Sequence, residues 1–118
     1  MTLIVSPYKR LPDGSVEWLA IPDHSNQLAG FESTRQTFWG SDTAKALGLS
    51  LLPTLALSDI WAEGTDLDRL ETEIDTLSGH LDLFPDQQEY WRLRLANVKN
   101  AVQSAKRFPA EQGGVYIG

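Results

Sequence analysis

Residues 86–108 read DQQEYWRLRLANVKNAVQSAKRF, the longest uninterrupted helical pattern in the chain. Asp86 followed by Glu89 has the spacing of a capping box, and Pro109 prevents the helix from continuing. The pattern therefore predicts a helix over residues 86–107. Its apolar side chains are spaced by four, three, four and three residues, which places them on one stripe facing a core: Trp91, Leu95, Val98, Val102 and Ala105.

The segment before this helix has a similar spacing. Thr65 with Asp68 suits a second capping box, and Gly79 suits a helix end. A helix is predicted over residues 65–79, and the short connection around residues 81–85 favours antiparallel packing of the two helices. The stripe of this segment steps by three, four, three and four residues: Leu67, Leu70, Ile74, Leu77 and Leu81.

Charge supports the pairing of these two helices. Residues 65–79 contain five acids and one arginine, whereas residues 86–107 contain five basic residues and two acids. Opposite charges help to align the helices, although each exposed ion pair adds only about 0–1 kcal/mol. Burial of the two stripes is expected to supply most of the stability, at about 1.5–3 kcal/mol for each large apolar side chain.

Short β-rich runs lie near both ends of the chain. Residues 3–5 and 16–21 flank the turn sequence of residues 11–15, which predicts an antiparallel hairpin. Residues 113–118 follow with two glycines and a strand-like end, and this strand is expected beside the hairpin.

These elements predict an α+β fold made of two layers. A small, mostly antiparallel sheet, built from the N-terminal hairpin and the C-terminal strand, packs against the helical hairpin of residues 65–79 and 86–107. The length of 118 residues is that of one domain, so a single domain spanning residues 1–118 is expected.

The middle of the chain gives weaker signals. Residues 31–39 fit both a helical face and a strand, and a strand over residues 34–38 is preferred. Residues 43–47 are predicted to form a short helix. The most apolar stretch, residues 49–57, contains a proline that forbids a long helix, so residues 54–57 suit either a strand or the end of a short helix. Burial of this stretch is expected in both cases.

Composition excludes several classes of partner. The formal net charge is −6 and the pI is about 4.7, which disfavours nucleic acid and anionic membrane surfaces as partners. No run of apolar residues is long enough for a transmembrane helix. The chain has no cysteine, which removes disulfides and thiolate chemistry and fits a reducing compartment. A cytoplasmic location is therefore expected.

The sequence predicts no catalytic centre, metal site or cofactor. Asp23, His24 and Ser25 are the residue types of a hydrolase triad, but adjacent residues in a loop cannot adopt the geometry of a triad. His80 and Asp82 offer two metal ligands without a second histidine nearby. His80 is instead expected to pack at the end of its helix, where a positive charge is favourable.

The most distinctive surface feature is an acidic run with a tryptophan inside it, over residues 59–75. A large aromatic side chain within a charged rim is typical of a protein interface. The competing interpretation places Trp61 in the core and takes the acids as the solvated face of a helix. The four tryptophans of the chain are expected mostly in the core. The predicted interface residues are Asp59, Trp61, Glu63, Asp66, Asp68, Glu71 and Asp75.

These features favour a non-enzymatic protein-interaction domain that binds a basic protein partner. In its small size, acidity and lack of cysteine the chain resembles the small acidic immunity proteins that neutralise bacterial toxins, which implies an inhibitor, immunity-like or adaptor role. A homo-oligomer is a further possibility. The alternative function is a small-molecule-binding or enzymatic domain with a pocket between sheet and helices, lined by Tyr8, His24, Arg35 and Trp39.

Overall fold

The computed structural model describes residues 2–19, 28–109 and 112–118. Within these ranges one antiparallel sheet packs against helices, so the fold class is α+β as predicted. The strands are β1 (Thr2–Arg10), β2 (Val16–Trp18), β3 (Leu28–Phe31), β4 (Ile60–Glu63) and β5 (Gly113–Ile117). The α-helices are α1 (Asp42–Ala46), α2 (Thr65–Ser78) and α3 (Gln88–Ala105).

Strand β1 is the centre of the sheet. Strand β5 pairs along one side of it, and β4 pairs with the far side of β5. On the other side of β1, β3 pairs with residues 2–4 and β2 pairs with residues 8–10. Pro7 continues the register opposite Leu19. Its carbonyl accepts from the Leu19 amide at 3.0 Å, and its missing N–H removes the reciprocal bond of this pair.

The two ends of the chain pair as predicted. Strands β1 and β2 form the N-terminal hairpin, and β5 lies beside β1. The predicted second strand extended over residues 16–21, and residues 20 and 21 lie outside the described ranges. Side-chain alternation gives the sheet two faces. The inner face joins the core through Leu3, Val5, Ile60, Ala62, Val115 and Ile117.

The predicted apolar stripes of α2 and α3 are confirmed. Nine of their ten members are buried, and Trp91 is half-buried and stacks on Phe38 with the ring centroids 4.1 Å apart. The buried members are Leu67, Leu70, Ile74, Leu77, Leu81, Leu95, Val98, Val102 and Ala105.

Ion pairs between α2 and α3 confirm the antiparallel pairing. Lys106 contacts Asp68 at 2.7 Å, near the start of α2, and Lys99 contacts Asp75 at 2.8 Å, near its end. The order of the partners is reversed along the two helices. His80 follows α2 and places its Nδ1 atom 2.8 Å from the Thr76 carbonyl oxygen.

Both predicted capping boxes are wrong. Gly64 precedes α2 with φ +60°, so Thr65 is already the first helical residue. The sharp turn from β4 into α2 requires this backbone conformation, which suits glycine and not threonine. Gln87, with φ +61°, takes the corresponding position before α3 and displaces Asp86 from it.

The predicted strand over residues 34–38 is also wrong. The strand in this region is β3, and a π-helical turn, Arg35–Trp39, follows it. Phe38 and Trp39 are both fully buried although they are adjacent. A strand would point them to opposite faces, so burying both favours a helical turn. Just before this turn, the Thr34 hydroxyl donates to the Phe31 carbonyl at 2.6 Å.

The apolar stretch after α1 forms a 3₁₀-helix, Leu52–Ala56, so residues 54–57 are not a strand. The start of this 3₁₀-helix is held by the buried Glu73 carboxylate of α2. This carboxylate accepts hydrogen bonds from the backbone amides of Ser50, Leu51 and Leu52, at 3.1, 3.0 and 2.8 Å. Leu57 is 95% exposed, contrary to the expected burial, because the chain leaves the core there to enter β4. No strand was predicted over residues 60–63, where β4 lies. The short helix predicted over residues 43–47 is confirmed as α1, and the Ser41 hydroxyl caps it by accepting from the Ala44 amide.

Candidate protein-binding site on the outer face of the sheet

Four aromatic side chains contact one another on the outer face of the sheet. Tyr8 of β1 lies directly opposite Trp18 of β2, and Trp61 of β4 lies directly opposite Tyr116 of β5. Alternation within each strand directs all four away from the core. We call these four side chains the aromatic face.

The rings of the aromatic face pack edge-on or tilted against one another. Trp61 and Tyr116 have their centroids 4.5 Å apart, and Tyr8 lies 5.6 Å from Trp61 and 5.7 Å from Trp18. The planes of these pairs meet at 50–72°, a favourable arrangement for aromatic rings. The rings therefore form an uneven surface of edges and faces.

Both tryptophans of the aromatic face remain open to solvent. Trp18 is 51% exposed and Trp61 is 49% exposed, whereas Tyr8 is fully buried beneath them. The Tyr8 ring lies directly over Gly114, where an added Cβ atom would overlap it. Helices α2 and α3 pack on the opposite side of the sheet and cover none of this surface.

The Tyr8 hydroxyl is buried under the aromatic face. Among the described residues it has no hydrogen-bond partner of good geometry. Burial, and after it the neighbouring Glu63 carboxylate, raises the pKa of Tyr8 far above its ordinary value. The phenol therefore stays neutral at physiological pH.

Two arginine–carboxylate pairs border Trp61. Asp59 and Glu63 stand two residues before and after it, so all three side chains project on the same side of the sheet. Arg10 contacts Glu63 with two nitrogens, at 2.7 and 3.2 Å, and its guanidinium holds the pKa of Glu63 below the ordinary value.

The second pair, Arg35 with Asp59, lies on the other side of Trp61 along the chain. Arg35 donates to Asp59 at 2.7 Å, and the Tyr116 hydroxyl donates to the same carboxylate at 2.9 Å. Arg35 first, and Tyr116 second, lowers the pKa of Asp59. Both carboxylates are therefore ionised at neutral pH and fixed in position beside the exposed indole.

The structure divides the predicted interface into two groups. Asp59, Trp61 and Glu63 lie on the outer face, and the other four acids lie on α2. All four of these helical acids pair within the molecule: Asp66 with Arg69, Asp68 and Glu71 with Lys106, and Glu71 and Asp75 with Lys99.

The residues predicted to line a pocket lie in different places. Tyr8 is beneath the aromatic face, whereas Trp39 is in the core and donates from its indole to the Ala29 carbonyl at 3.2 Å. Arg35 lies beside β4 with Asp59. His24, together with its neighbours Asp23 and Ser25, falls outside the described residues.

Sequence reasoning missed Trp18 and Tyr116 as members of the site. Both stand in segments predicted as strands, so their faces could be assigned within each strand but not relative to one another. The missing signal was the register, which brings Trp18 opposite Tyr8 and Tyr116 opposite Trp61.

A second surface feature is a groove of about 500 Å³ between the end of β3, the π-helical turn and the start of α3. Its apolar lining includes Phe31, Phe84, Tyr90 and Trp91, and hydroxyls come from Ser33, Thr34 and Thr37. Phe31 and Tyr90 stack with their rings nearly parallel.

Other kinds of site find no support in the described ranges. They contain no group of three or more His, Cys, Asp or Glu side chains arranged to hold a metal ion. None of their helices combines the length and apolar character needed to cross a membrane. The chain matches no protein-family model, and neither a curated protein nor a solved structure shows significant similarity to it.

Proposed function

We propose that this chain is a non-enzymatic protein-interaction domain that binds a basic protein partner through the aromatic face, in an inhibitor, immunity-like or adaptor role. The observation that supports this proposal most is the half-exposure of Trp18 and Trp61 on a sheet face that none of the described helices covers. Tryptophan, tyrosine and arginine dominate the binding energy of protein interfaces. All three types meet here.

Electrostatics favours a basic partner. The net charge of −6 attracts cationic proteins over a distance and speeds their encounter. Several carboxylates form no ion pair within the described residues and therefore contribute fully to this field: Glu17, Asp42, Asp82, Asp86 and Glu89. At short range, the end of β4 at Asp59 keeps one net negative charge beside Trp61, because Arg35 is shared between Asp59 and Glu32.

The proposal is tested by affinity capture from a lysate of the native cell with matched variants. Trp61→Ala removes the exposed indole, and Leu93→Ala removes a leucine of similar exposure on α3 as the control. We expect wild type and Leu93→Ala to retain the same basic protein at low and moderate salt. Trp61→Ala is expected to bind that protein at least about tenfold more weakly, since an interface tryptophan contributes about 2 kcal/mol or more.

Two results would contradict the proposal. One is the recovery of no basic protein at either salt concentration. The other is equal retention by wild type and Trp61→Ala, provided that circular dichroism shows the variant to be folded.

The groove lined by Phe31, Phe84, Tyr90 and Trp91 favours a second candidate function, the binding of a small apolar molecule. Its volume lies in the range of ligand pockets, and its lining combines aromatic side chains with a few hydroxyl-bearing residues, as in such pockets. Screening a library of aromatic fragments by NMR tests this function. Binding should shift the Tyr90 and Trp91 resonances, and a screen without such shifts would remove this candidate.

A further inference from the structure

The hydrogen bonds between β1 and β5 reveal which backbone groups of the sheet remain open. Ile4 and Gly118 exchange both of their backbone hydrogen bonds, at 2.9 and 3.0 Å, and the Arg10 amide donates to the Gln112 carbonyl. In an antiparallel pair such bonded positions recur at every second residue. Gly114 and Tyr116 therefore point their backbone groups toward β1, and Val115 and Ile117 point theirs toward β4.

The same alternation continues into β4. Ile60 lies opposite Ile117, and Ala62 lies opposite Val115, so these two residues bond to β5. Trp61 and Glu63 must then direct their N–H and C=O groups away from the sheet. Within the described residues no hydrogen bond involves these four groups. We call them the open edge.

We infer that the basic partner adds an extended strand to the open edge of β4. This inference rests on the proposed function and specifies how the partner binds. An antiparallel strand would complete the hydrogen bonds of Trp61 and Glu63, and its alternate side chains would extend the aromatic face. The same residues thus provide both the backbone groups and the exposed indole.

The side chains of β4 determine the sequence of the added strand. Residues directly opposite in an antiparallel pair interact most strongly, and opposite charges stabilise such a pair. Asp59 and Glu63 favour basic residues opposite them, and Trp61 favours an apolar or aromatic residue. The partner segment therefore has a basic residue, an apolar residue and a second basic residue at alternate positions.

The two carboxylates can accept a further cation. The side chains of Asp59 and Glu63 are 43% and 31% exposed in spite of their arginine partners. Arg35 is shared between Asp59 and Glu32, so this end of β4 keeps one net negative charge.

The same charges disfavour a second copy of this chain as the added strand. Antiparallel pairing of two β4 strands centred on Trp61 would place Asp59 of each copy opposite Glu63 of the other. Like charges directly opposite each other destabilise a strand pair, and this arrangement contains two such pairs. Charged side chains on an edge strand are a common means of preventing self-association.

Residue-resolved amide hydrogen exchange tests the inference with a defined peptide, acetyl-Thr-Lys-Thr-Val-Thr-Lys-Thr-amide, at millimolar concentration. In the free protein the Trp61 and Glu63 amides should exchange fast, and the Ile60 and Ala62 amides should exchange slowly. With the peptide, the Trp61 and Glu63 amides should slow by about tenfold or more, because they gain hydrogen bonds. A peptide with glutamate in place of both lysines should leave them unchanged.

N-methylated peptides separate strand addition from side-chain binding. Methylation of the central valine amide, which would face Trp61, should abolish the protection, and methylation of the next threonine amide should preserve it. If the lysine peptide shifts the indole resonances of Trp18 and Trp61 without protecting the β4 amides, strand addition is wrong and the proposed interaction face stands. If it changes neither the indoles nor the amides, the inferred partner segment is wrong, and the capture experiment alone decides the proposed function.

Discussion

The two faces of the sheet are built from the same strands but differ in the exposure of their side chains. In β4, Ile60 and Ala62 point inward and are buried, whereas Trp61 points outward and is half-exposed. In β5, Val115 and Ile117 are fully buried, and Tyr116 joins the outer aromatic cluster. Stability alone would favour polar side chains on the solvent face of an antiparallel sheet. This difference between the two faces supports the proposed binding role of the outer face.

The largest expected effect contrasts Ile117→Ala with Trp61→Ala. Ile117→Ala leaves a cavity on the inner face and should lower the free energy of unfolding by about 2–5 kcal/mol. Trp61→Ala removes a half-exposed side chain and should cost only about 1 kcal/mol. Urea denaturation followed by circular dichroism measures both changes. An equal loss in the two variants would show that the outer face is as important to stability as the core.

A smaller effect is expected from Gly114→Ala. The new methyl group would overlap the Tyr8 ring, so the aromatic face must shift at a cost of about 1–3 kcal/mol. Gly79→Ala is the control, because its Cβ would meet neighbours only at ordinary contact distance and φ is negative there. We expect thermal melting to fall for the first variant and to stay constant or rise for the second. Unchanged melting of Gly114→Ala would show that Tyr8 is not held over this glycine.

The inner side of the molecule was largely predictable from the sequence. The stripes of α2 and α3 repeat with helical spacing, and such repeats report local geometry directly. The positions of Leu70 and Val98 in the core follow from this spacing alone. The ion pairs of Lys99 and Lys106 agree with the opposite charges of the two helices.

The outer face was not predictable in the same way, because it depends on contacts between distant segments. Trp18, Trp61 and Tyr116 come from three separate parts of the chain, and only the register of the sheet brings them together. Strand β4 is four residues long and follows a 3₁₀-helix, so its alternation was too short to recognise. The caps of the two helices were assigned wrongly, because capping-box spacing gave no signal for the positive φ values at Gly64 and Gln87.

The loss of stability at low pH compares the Arg10–Glu63 pair on the outer face with the ion pairs between α2 and α3. Arg10 lowers the pKa of Glu63, and Lys106 lowers the pKa of Glu71, from ordinary values near 4.5. A lowered pKa in the folded state adds stability above the unfolded pKa, and this stability is lost as the pH falls through the folded value. The wild type should therefore lose stability below about pH 4.5.

Arg10→Met should reduce the part of this stability loss at low pH that comes from the protonation of Glu63. Glu63 would then titrate closer to its ordinary value in the folded protein, so its protonation would cost less stability. Urea midpoints at pH 7 and pH 3 measure the difference. If Arg10→Met loses as much stability between pH 7 and pH 3 as the wild type, the acid sensitivity comes from the ion pairs between α2 and α3 and not from the Arg10–Glu63 pair.

The smallest expected effect concerns a single hydroxyl of the aromatic face. Tyr116→Phe keeps the ring against Trp61 but removes the hydrogen bond to Asp59, so the pKa of Asp59 should rise toward its ordinary value. The rise should be incomplete, because Arg35 is the larger cause of the lowered pKa and remains in place. Carboxyl NMR titration of Asp59 measures it. Stability should hardly change, and partner binding should weaken only slightly, because the exposed indole stays in position. A large loss of binding would show that the hydroxyl, and not the indole surface, is the main contact with the partner.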